Sequence, residues 1–393
     1  MRTRFLPFHV PDIAETEIAA VVETLRSGWL TTGPKVRQFE ESFARMIGVD
    51  YAVAVNSGTA ALHLALEAAG VGQGDDVIVP TMTFAATAEV VLYLRARPVL
   101  VDCLPDTLNL DPQQVERALT PRTKAIMPVH FAGQPCDMDR LVDIAASYGL
   151  KLVEDAAHAL PAWHRHAPVG TIGDMTCFSF YATKTITTGE GGMVTTNTPE
   201  YAERIRIMSL HGISKDAWKR YRADGTHAYE ILYPGYKYNL TDLAAALGIE
   251  QLKKCDQFWR SRSRIAATYD AAFADLPELS LPVTLPHVEH AWHLYVVQLA
   301  TDAIGLTRDE FINELKRLNI GTSVHFAPLH LHPLYRDMFG YRPQDLPVAT
   351  ALSRRIVSLP IYPAMTDEDV TDVIDAVRSV IITARQRARV AVP

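Results

Sequence analysis

Hydrophobic and polar positions change period repeatedly along the chain, and the changes predict its elements. Between residues 12 and 27, Ile13, Ile18, Val21, Val22 and Leu25 recur at helical spacing among acidic residues, and the pattern ends near Ser27-Gly28. The loop Trp29 to Pro34 leads to a second amphipathic helix carrying Val36, Phe39, Phe43 and Met46. Tyr51 to Val55 is an unbroken apolar run of strand length, Asn56-Ser57-Gly58-Thr59 is a small polar turn, and an apolar helix opens at Ala60. The alternation then repeats: strand Asp76 to Val79, helix Ala85 to Leu94, strand Pro98 to Asp102, strand Lys124 to His130, helix Met138 to Tyr148, strand Leu150 to Asp155. Such βα units predict an open α/β fold with a mostly parallel central sheet flanked by helices, whose ligands sit beyond the carboxyl ends of the strands.

Farther on, the apolar run from Cys177 to Phe180 gives way to Tyr181-Ala182-Thr183-Lys184, a glycine-rich break from Gly189 to Gly192, and the strand-like Met193 to Thr196. A helix from Pro199 to Leu210 precedes a polar stretch, Gly212 to Glu230, read as an exposed excursion. Thr241 suits the N-cap of an Ala/Leu-rich helix reaching about Lys254, and a long amphipathic helix spans 256 to 275. Beyond it the pattern predicts a strand (Trp292 to Leu299), a helix (Thr307 to Leu318), a strand (Gly321 to His325) and a terminal helix (Asp367 to Ala384). At 393 residues the chain exceeds the usual single-domain size. The expected division is a large domain over 1–250, with an N-terminal arm, and a smaller C-terminal α/β domain over 251–393.

Composition narrows the function classes. A net charge of -7 argues against general electrostatic affinity for nucleic acid or acidic membranes. No apolar run reaches the roughly 18 residues a membrane span needs, and the first residues hold no apolar signal core. Cys103, Cys136, Cys177 and Cys255 are widely spaced, so neither a disulfide framework nor a thiolate zinc site is indicated, and a cytoplasmic location is expected.

Three features carry candidate chemistry. Lys184 sits among Ser, Thr, Tyr and Phe, which would desolvate its amine and disfavour the charged form, as a Schiff-base lysine requires; the alternative is a solvated loop lysine. The turn at Ser57-Gly58-Thr59 between strand and helix forms an anion site, or a simple helix cap. Asp155 ends an apolar strand, where a carboxylate needs a cation or donors, or else caps a helix. The histidine groups His325, His330, His332 and His287, His290, His293 lack nearby cysteines or an evident acid partner, so no metal is expected, and His164 and His166 are read as solvated loop residues.

An anion turn, an aromatic at Phe84, a strand-end Asp155 and a loop Lys184 are together what pyridoxal phosphate requires. With Gly33-Pro34, Asn56 to Ala60, Pro80 to Ala86, Glu154 to His158, Phe178 to Lys184, Gly189 to Gly192 and Gly235 to Asp242 in this order, the chain resembles the DegT/DnrJ/EryC1/StrS aminotransferases, fold-type I enzymes of nucleotide-linked keto sugars. The resemblance implies that Lys184 is the Schiff-base lysine and Asp155 the partner of the pyridine nitrogen. It implies that Gly58, Thr59 and Ser179 hold the phosphate, Phe84 stacks on the ring, and His158 stands beside the phenolic oxygen. Asn239 matches a residue that reaches the phosphate from a neighbouring subunit, which implies a homodimer with shared sites.

Tyr181 and Thr185 stand where many members have His and Asn, a departure that bears on sugar preference. The segments Pro234 to Asp242, His290 to Tyr295 and Gly321 to Phe326 are most similar to enzymes that aminate C4 of UDP-linked 4-keto sugars with L-glutamate, in the pattern of the 4-amino-4-deoxy-L-arabinose aminotransferases. By the same likeness His325 and His330 lie near the substrate mouth, and Lys215, Lys219, Arg220 and Arg222 form a solvated face or steer a nucleotide diphosphate. The alternatives are a 3-keto sugar aminotransferase acting on a dTDP-linked sugar, a dehydratase on the same fold, and a catalytically silent protein that binds the coenzyme.

Overall fold

The computed structural model describes residues 2–214, 229–301 and 305–390. Helices α1 (Glu15–Ser27) and α2 (Pro34–Ile47) precede strand β1 (Tyr51–Val55) and helix α3 (Gly58–Ala68). There follow β2 (Asp76–Pro80), α4 (Ala85–Tyr93), β3 (Arg97–Val101), α5 (Pro112–Ala118), β4 (Thr123–Ile126), α6 (Met138–Tyr148) and β5 (Lys151–Asp155). Two short strands, β6 (Trp163–His164) and β7 (Ala167–Pro168), stand between β5 and the pair β8 (Met175–Ser179) and β9 (Gly192–Thr196). The expected strand to His130 is continuous only to Ile126, because Pro128 has no N–H to donate; beyond it Met127 N still donates to Ile78 O at 2.8 Å and Val129 bridges Asp155.

The central sheet has seven strands in the order β1-β9-β8-β5-β4-β2-β3. Strands β3, β2, β4, β5 and β8 pair in parallel, whereas β9 runs antiparallel to both β8 and β1. Consequently β1 points the same way as the parallel set, and the carboxyl ends of β1, β2, β5 and β8 share one edge. Helix α3 is buried from Ala60 through Leu66, its apolar residues clustering with Val53, Val79, Met127, Val153 and Val194 while His63 meets the rings of Tyr93, Tyr236 and Tyr238.

Helices α7 (Pro199–Met208), α8 (Asp242–Lys253) and α9 (Cys255–Phe273) lead to the second unit, which holds a three-stranded sheet ordered β10 (Leu279–Ser280), β12 (Tyr295–Leu299), β13 (Ile356–Leu359). Helices Arg308–Arg317 and Asp367–Val390 pack on it. The pattern reading misses β13, and it assigns a strand to Gly321–His325, where only a single bridge, Ser323 to Ser358, forms. Ile356 to Leu359 is fully buried and takes the ladder position beside β12 that a strand at 321–325 would need. The N-terminal arm also departs from expectation, since Leu6 packs in the core of this second unit and bridges Ile320. Strand β11 (Val288–Glu289) returns to the large unit and pairs with β6, forming a small sheet ordered β11-β6-β7.

A buried guanidinium holds this crossing. Arg262 of α9 is 1% exposed, and its Nη1 donates to the carbonyls of Trp292, His293 and Ile361 at 3.1, 3.2 and 2.7 Å. The four cysteines are free and buried, and no helix of the described residues is long and apolar enough to cross a membrane. Residues 215–228, including Lys215, Lys219, Arg220 and Arg222, lie outside the described residues.

Under the carboxyl edge lies a closed polar network. Glu154 Oε2 meets His130 Nε2 at 2.8 Å, while its Oε1 accepts from Gly173 N at 2.7 Å and Thr176 Oγ1 at 2.8 Å. Cys136 N donates to His130 Nδ1 at 3.1 Å, so that nitrogen is an acceptor and the proton sits on Nε2, directed at Glu154. Both side chains are wholly excluded from solvent. Glu154→Ala strands the donors of His130, Thr176 and Gly173 and is expected to destabilise the chain by about 3–5 kcal/mol, read as a fall in the denaturant midpoint; an unchanged midpoint would refute the role of this network.

Candidate active site

Each candidate residue is delivered to the shared edge by its own strand. Lys184 lies in the loop between β8 and β9, which closes back on itself: Phe180 N donates to Gly191 O at 2.8 Å and Thr188 N to Phe180 O at 2.9 Å. The sheet thus holds both ends of the loop that carries the amine. The side chain is partly buried, and burial pushes its amine down to about 8, opposed by the Asp155 carboxylate. A small cavity beside it is bounded by His9, Asp12, Thr185 and Arg262.

Asp155 ends β5, which pairs in parallel with β8 so that Asp155 stands opposite Cys177. Alternation along the strand turns Glu154 and Asp155 to opposite faces. The Asp155 carboxyl is 5% exposed. Its Oδ2 accepts from Thr87 Oγ1 at 2.8 Å, Thr87 being itself 2.8 Å from Thr83 Oγ1, and its Oδ1 accepts from Ala157 N at 3.1 Å. The residues after Asp155 turn rather than form a helix, so the carboxylate is no helix cap. Burial raises the carboxyl above its usual range, and the donors from Ala157 and Thr87 only partly offset this. No cation of the described residues lies within salt-bridge distance of it.

At β1 the chain turns through Ser57 into α3. Ser57 Oγ accepts from Ala60 N at 3.0 Å and its carbonyl from Ala61 N at 3.1 Å, so the cap satisfies those donors and leaves the N–H groups of Gly58 and Thr59 at the positive helix end. Gly58 has no room for a side chain, because a Cβ there would come within 2.8 Å of Ser179 Cβ. Gly192, the first residue of β9, is equally confined, with Ser57 O 2.4 Å from where its Cβ would sit. These two glycines let β1, β8 and β9 close together where α3 begins.

His158 lies deep in the site. Its ring is stacked with Phe326 at 5.9 Å between centroids and lies 4.4 Å from the ring of His293. Burial, with Lys184 adding to it, holds His158 well below the ordinary imidazole range, so it is neutral, and its Nδ1 is buried without a partner. Phe84 caps α4 at the same rim, 62% exposed, its ring 6.0 Å from Phe326. Tyr181 is exposed beside the lysine loop.

His325 and His330, paired in expectation, separate in the structure. His325 Nδ1 meets Ser358 Oγ at 2.8 Å, and burial together with Lys184 pushes its ring down to about 4. His330 is 1% exposed, with Nδ1 2.8 Å from Thr81 Oγ1 and Nε2 2.8 Å from Thr350 Oγ1. Both nitrogens are committed, so His330 pins its turn to the end of β2 and offers no group to a substrate. Asn239 runs beside Val55 through a single bridge, and its amide is engaged by Thr32 and Lys237 of the same chain.

Pattern reading missed several contributors. His9, on the arm, is pushed down to about 3 by burial and by Arg262, and it stands close enough to Lys184 to feel its charge. Thr87 was hidden as an ordinary residue of an apolar helix, although its position one helical turn after Thr83 was a readable signal. His293 joins the site only through the return of the chain from the second unit, where its carbonyl meets Arg262 of α9.

The comparisons with known proteins agree with this geometry. The model of the DegT/DnrJ/EryC1/StrS aminotransferase family matches residues 11–378. The chain is 52% identical over 381 residues to the spore coat polysaccharide biosynthesis protein SpsC of Bacillus subtilis, covering 97% of this chain and 98% of that one. Among solved structures, Spr1654 of Streptococcus pneumoniae in its PLP form superposes with a TM-score of 0.89 at 35% identity, covering 97% of this chain and 99% of the other. The Helicobacter pylori aminotransferase PseC, involved in the biosynthesis of pseudoaminic acid, does so with a TM-score of 0.90 at 28% identity, covering 97% and 100%. A sequence match over nearly the whole chain, joined to a lysine and a buried carboxylate at one sheet edge, leads to one conclusion: the chain belongs to the DegT/DnrJ/EryC1/StrS aminotransferase family and is a pyridoxal phosphate-dependent aminotransferase.

Proposed function

We propose that the enzyme transfers the amino group of L-glutamate to C4 of a nucleotide-linked 4-keto sugar, UDP-linked, giving a 4-amino sugar nucleotide and 2-oxoglutarate. The observation that carries the transamination reading is the pairing of a desolvated Lys184 amine with a buried Asp155 carboxylate that has donors but no cation. The sugar reading is supported by SpsC, named for polysaccharide biosynthesis, and by PseC, named for pseudoaminic acid biosynthesis.

The residues fit the coenzyme. A protonated ring nitrogen is the cation that Asp155 lacks, a phenolic oxygen suits the unpartnered Nδ1 of His158, and a phosphate suits the N–H groups of Gly58 and Thr59 with the Ser179 hydroxyl. When bound, pyridoxal phosphate supplies an aldehyde for exchange of amines and an electron sink for loss of the donor's Cα proton. Lys184 Nζ would hold the coenzyme covalently and would be the base that takes the donor's Cα proton and returns it to carbon. A depressed amine suits this role, since a neutral base near the working pH maximises proton transfer. Asp155 would keep the ring nitrogen protonated, and the hydrogen-bond chain from Thr83 through Thr87 holds Asp155 in place. Phe84 and Tyr181 would flank the coenzyme and sugar at the open rim.

Homodimer formation with shared sites is part of the same reading. Exposed apolar side chains at Phe84, Ile231, Leu232 and Tyr233 supply surface that a second copy would cover, and Asn239 would then serve the partner's phosphate site.

Release of 2-oxoglutarate, measured with L-glutamate and a panel of UDP- and dTDP-linked 4-keto and 3-keto sugars, tests the substrate; turnover of 3-keto sugars alone would replace the C4 reading by its rival. Lys184→Ala is expected to remove turnover and to let the coenzyme be dialysed away, and substantial residual activity would exclude the lysine. Asp155→Asn should lower kcat by about 10²–10⁴-fold with coenzyme still bound, whereas an unchanged kcat would take the carboxylate out of the mechanism. Finally, the coenzyme-free enzyme should capture pyridoxal phosphate at a rate that climbs with pH and levels off near 8, because a folded-state amine at about 8 is already neutral above it. A rate still climbing toward the ordinary lysine value of about 10.4 would show an undisplaced amine.

A further inference from the structure

The N-terminal arm, α9 and the lysine loop meet around one small cavity, bounded by His9, Asp12, Lys184, Gln251 and Arg262. Arg262 gives it an unusual wall. The guanidinium is 1% exposed, and only its Nη1 serves the carbonyls of Trp292, His293 and Ile361. Its Nε and Nη2 are both buried without a hydrogen-bond partner, and no carboxylate of the described residues lies within salt-bridge distance of it. Burial alone pushes the guanidinium down to about 9, so it remains charged at neutral pH. Nε and Nη2 form the side edge of the planar fork, which presents two N–H groups in parallel to an anion.

His9 adds a second unmet group to the same wall, since its Nε2 is likewise buried without a partner. Burial, and then Arg262, push this ring down to about 3, so it is neutral and able to carry its proton on Nε2 as a donor. Two neighbours that could have served the guanidinium are spent elsewhere. Gln251 accepts from Thr187 N at 3.3 Å and donates to Asp12 O and Glu17 Oε1 at 2.7 and 2.8 Å. Asp12 Oδ1 faces Lys254 Nζ at 3.3 Å. With Asp12 paired off, the charges left on the cavity wall are those of Arg262 and of Lys184 when protonated.

We infer that the side edge of Arg262 and Nε2 of His9 form a binding site for one small monovalent anion, with chloride as the free occupant. A buried cation without a counter-charge is destabilising, and the three carbonyls on Nη1 supply dipoles but no charge. Water would accept from the unmet donors and leave the charge unmatched, whereas an anion supplies both. The cavity admits one particle about the size of water. A halide is only slightly larger, and the exposed Pro11 and half-buried Asp12 on the arm side can yield to it. A carboxylate group has the same chemistry, with two oxygens for two N–H groups, so on the aminotransferase reading the amino donor is a second source of the anion. In either case the anion ties the arm to α9 beside Lys184.

Crystals of the holoenzyme grown in NaBr, without donor or sugar, should show one bromine anomalous peak per chain against Nε and Nη2 of Arg262. In solution the thermal midpoint should be higher in NaCl than in sodium gluconate at equal ionic strength, because gluconate is too large to enter. His9→Phe should weaken the chloride affinity read from that shift about tenfold, the effect of losing one hydrogen bond to a charged group, and Arg262→Met should abolish the peak. Arg262→Met also gives up three carbonyl contacts, so His9→Phe decides the matter if that variant folds poorly. Added L-glutamate separates the two sources: a peak that it displaces assigns the site to a carboxylate of the donor, and a peak that stays assigns it to a resident halide. Absence of the peak from wild-type crystals, or a chloride shift unchanged in His9→Phe, would overturn the site. Neither result touches the aminotransferase reading, which is measured by turnover.

Discussion

Parallel pairing of β5 with β8 is the constraint on which the site depends. It sets Asp155 level with Cys177, and the chain beyond Cys177 then has only to pass Ser179 and turn to bring Lys184 back over the same strand end. The antiparallel β9 returns the loop to the sheet and presents Gly192 against Ser57, so the lysine loop and the α3 turn share a wall. A parallel sheet places all its carboxyl ends on one edge, and residues distant in sequence become one site without any long loop being required.

Adjacent residues of β5 show how the fold separates stability from chemistry. Glu154 faces a network in which its bonds to His130, Thr176 and Gly173 are all made, and this face contributes rigidity. Asp155 faces the other way, with donors from Thr87 and Ala157 but no counter-charge, and near it His158 keeps an unpartnered Nδ1. Unmet polar groups are destabilising in an empty fold and become binding energy for a ligand that supplies what they lack. The closed network beneath holds the open one in position.

The second unit completes the site from the other side. Arg262 gathers the carbonyls of Trp292, His293 and Ile361, which fixes where the chain leaves and re-enters this unit, and His293 arrives beside His158 as a result. The arm reinforces the crossing: Leu6 packs in the second core, while His9 stands beside Arg262 and Lys184. A short N-terminal segment therefore links the packing of one unit to the electrostatics of the other.

Much of this was legible from residue order. The βα alternation from Tyr51 to Asp155, the polar turn at Gly58 and Thr59 that opens α3, the strand-end Asp155 and the glycine-bounded Lys184 are local signals, because each rests on a period, a cap or a turn that neighbours along the chain determine. What needed the tertiary structure was non-local. Strand β13 was invisible because its short apolar run has no period of its own, and its pairing with β12 comes from a distant segment. His330 and His164 were misread because a histidine's role depends on what surrounds its ring: two threonine hydroxyls close off the first, and two flanking strands bury the second. Thr87, His9 and Arg262 act through partners far away in sequence, and only folding sets the distances on which hydrogen bonds and charge interactions depend.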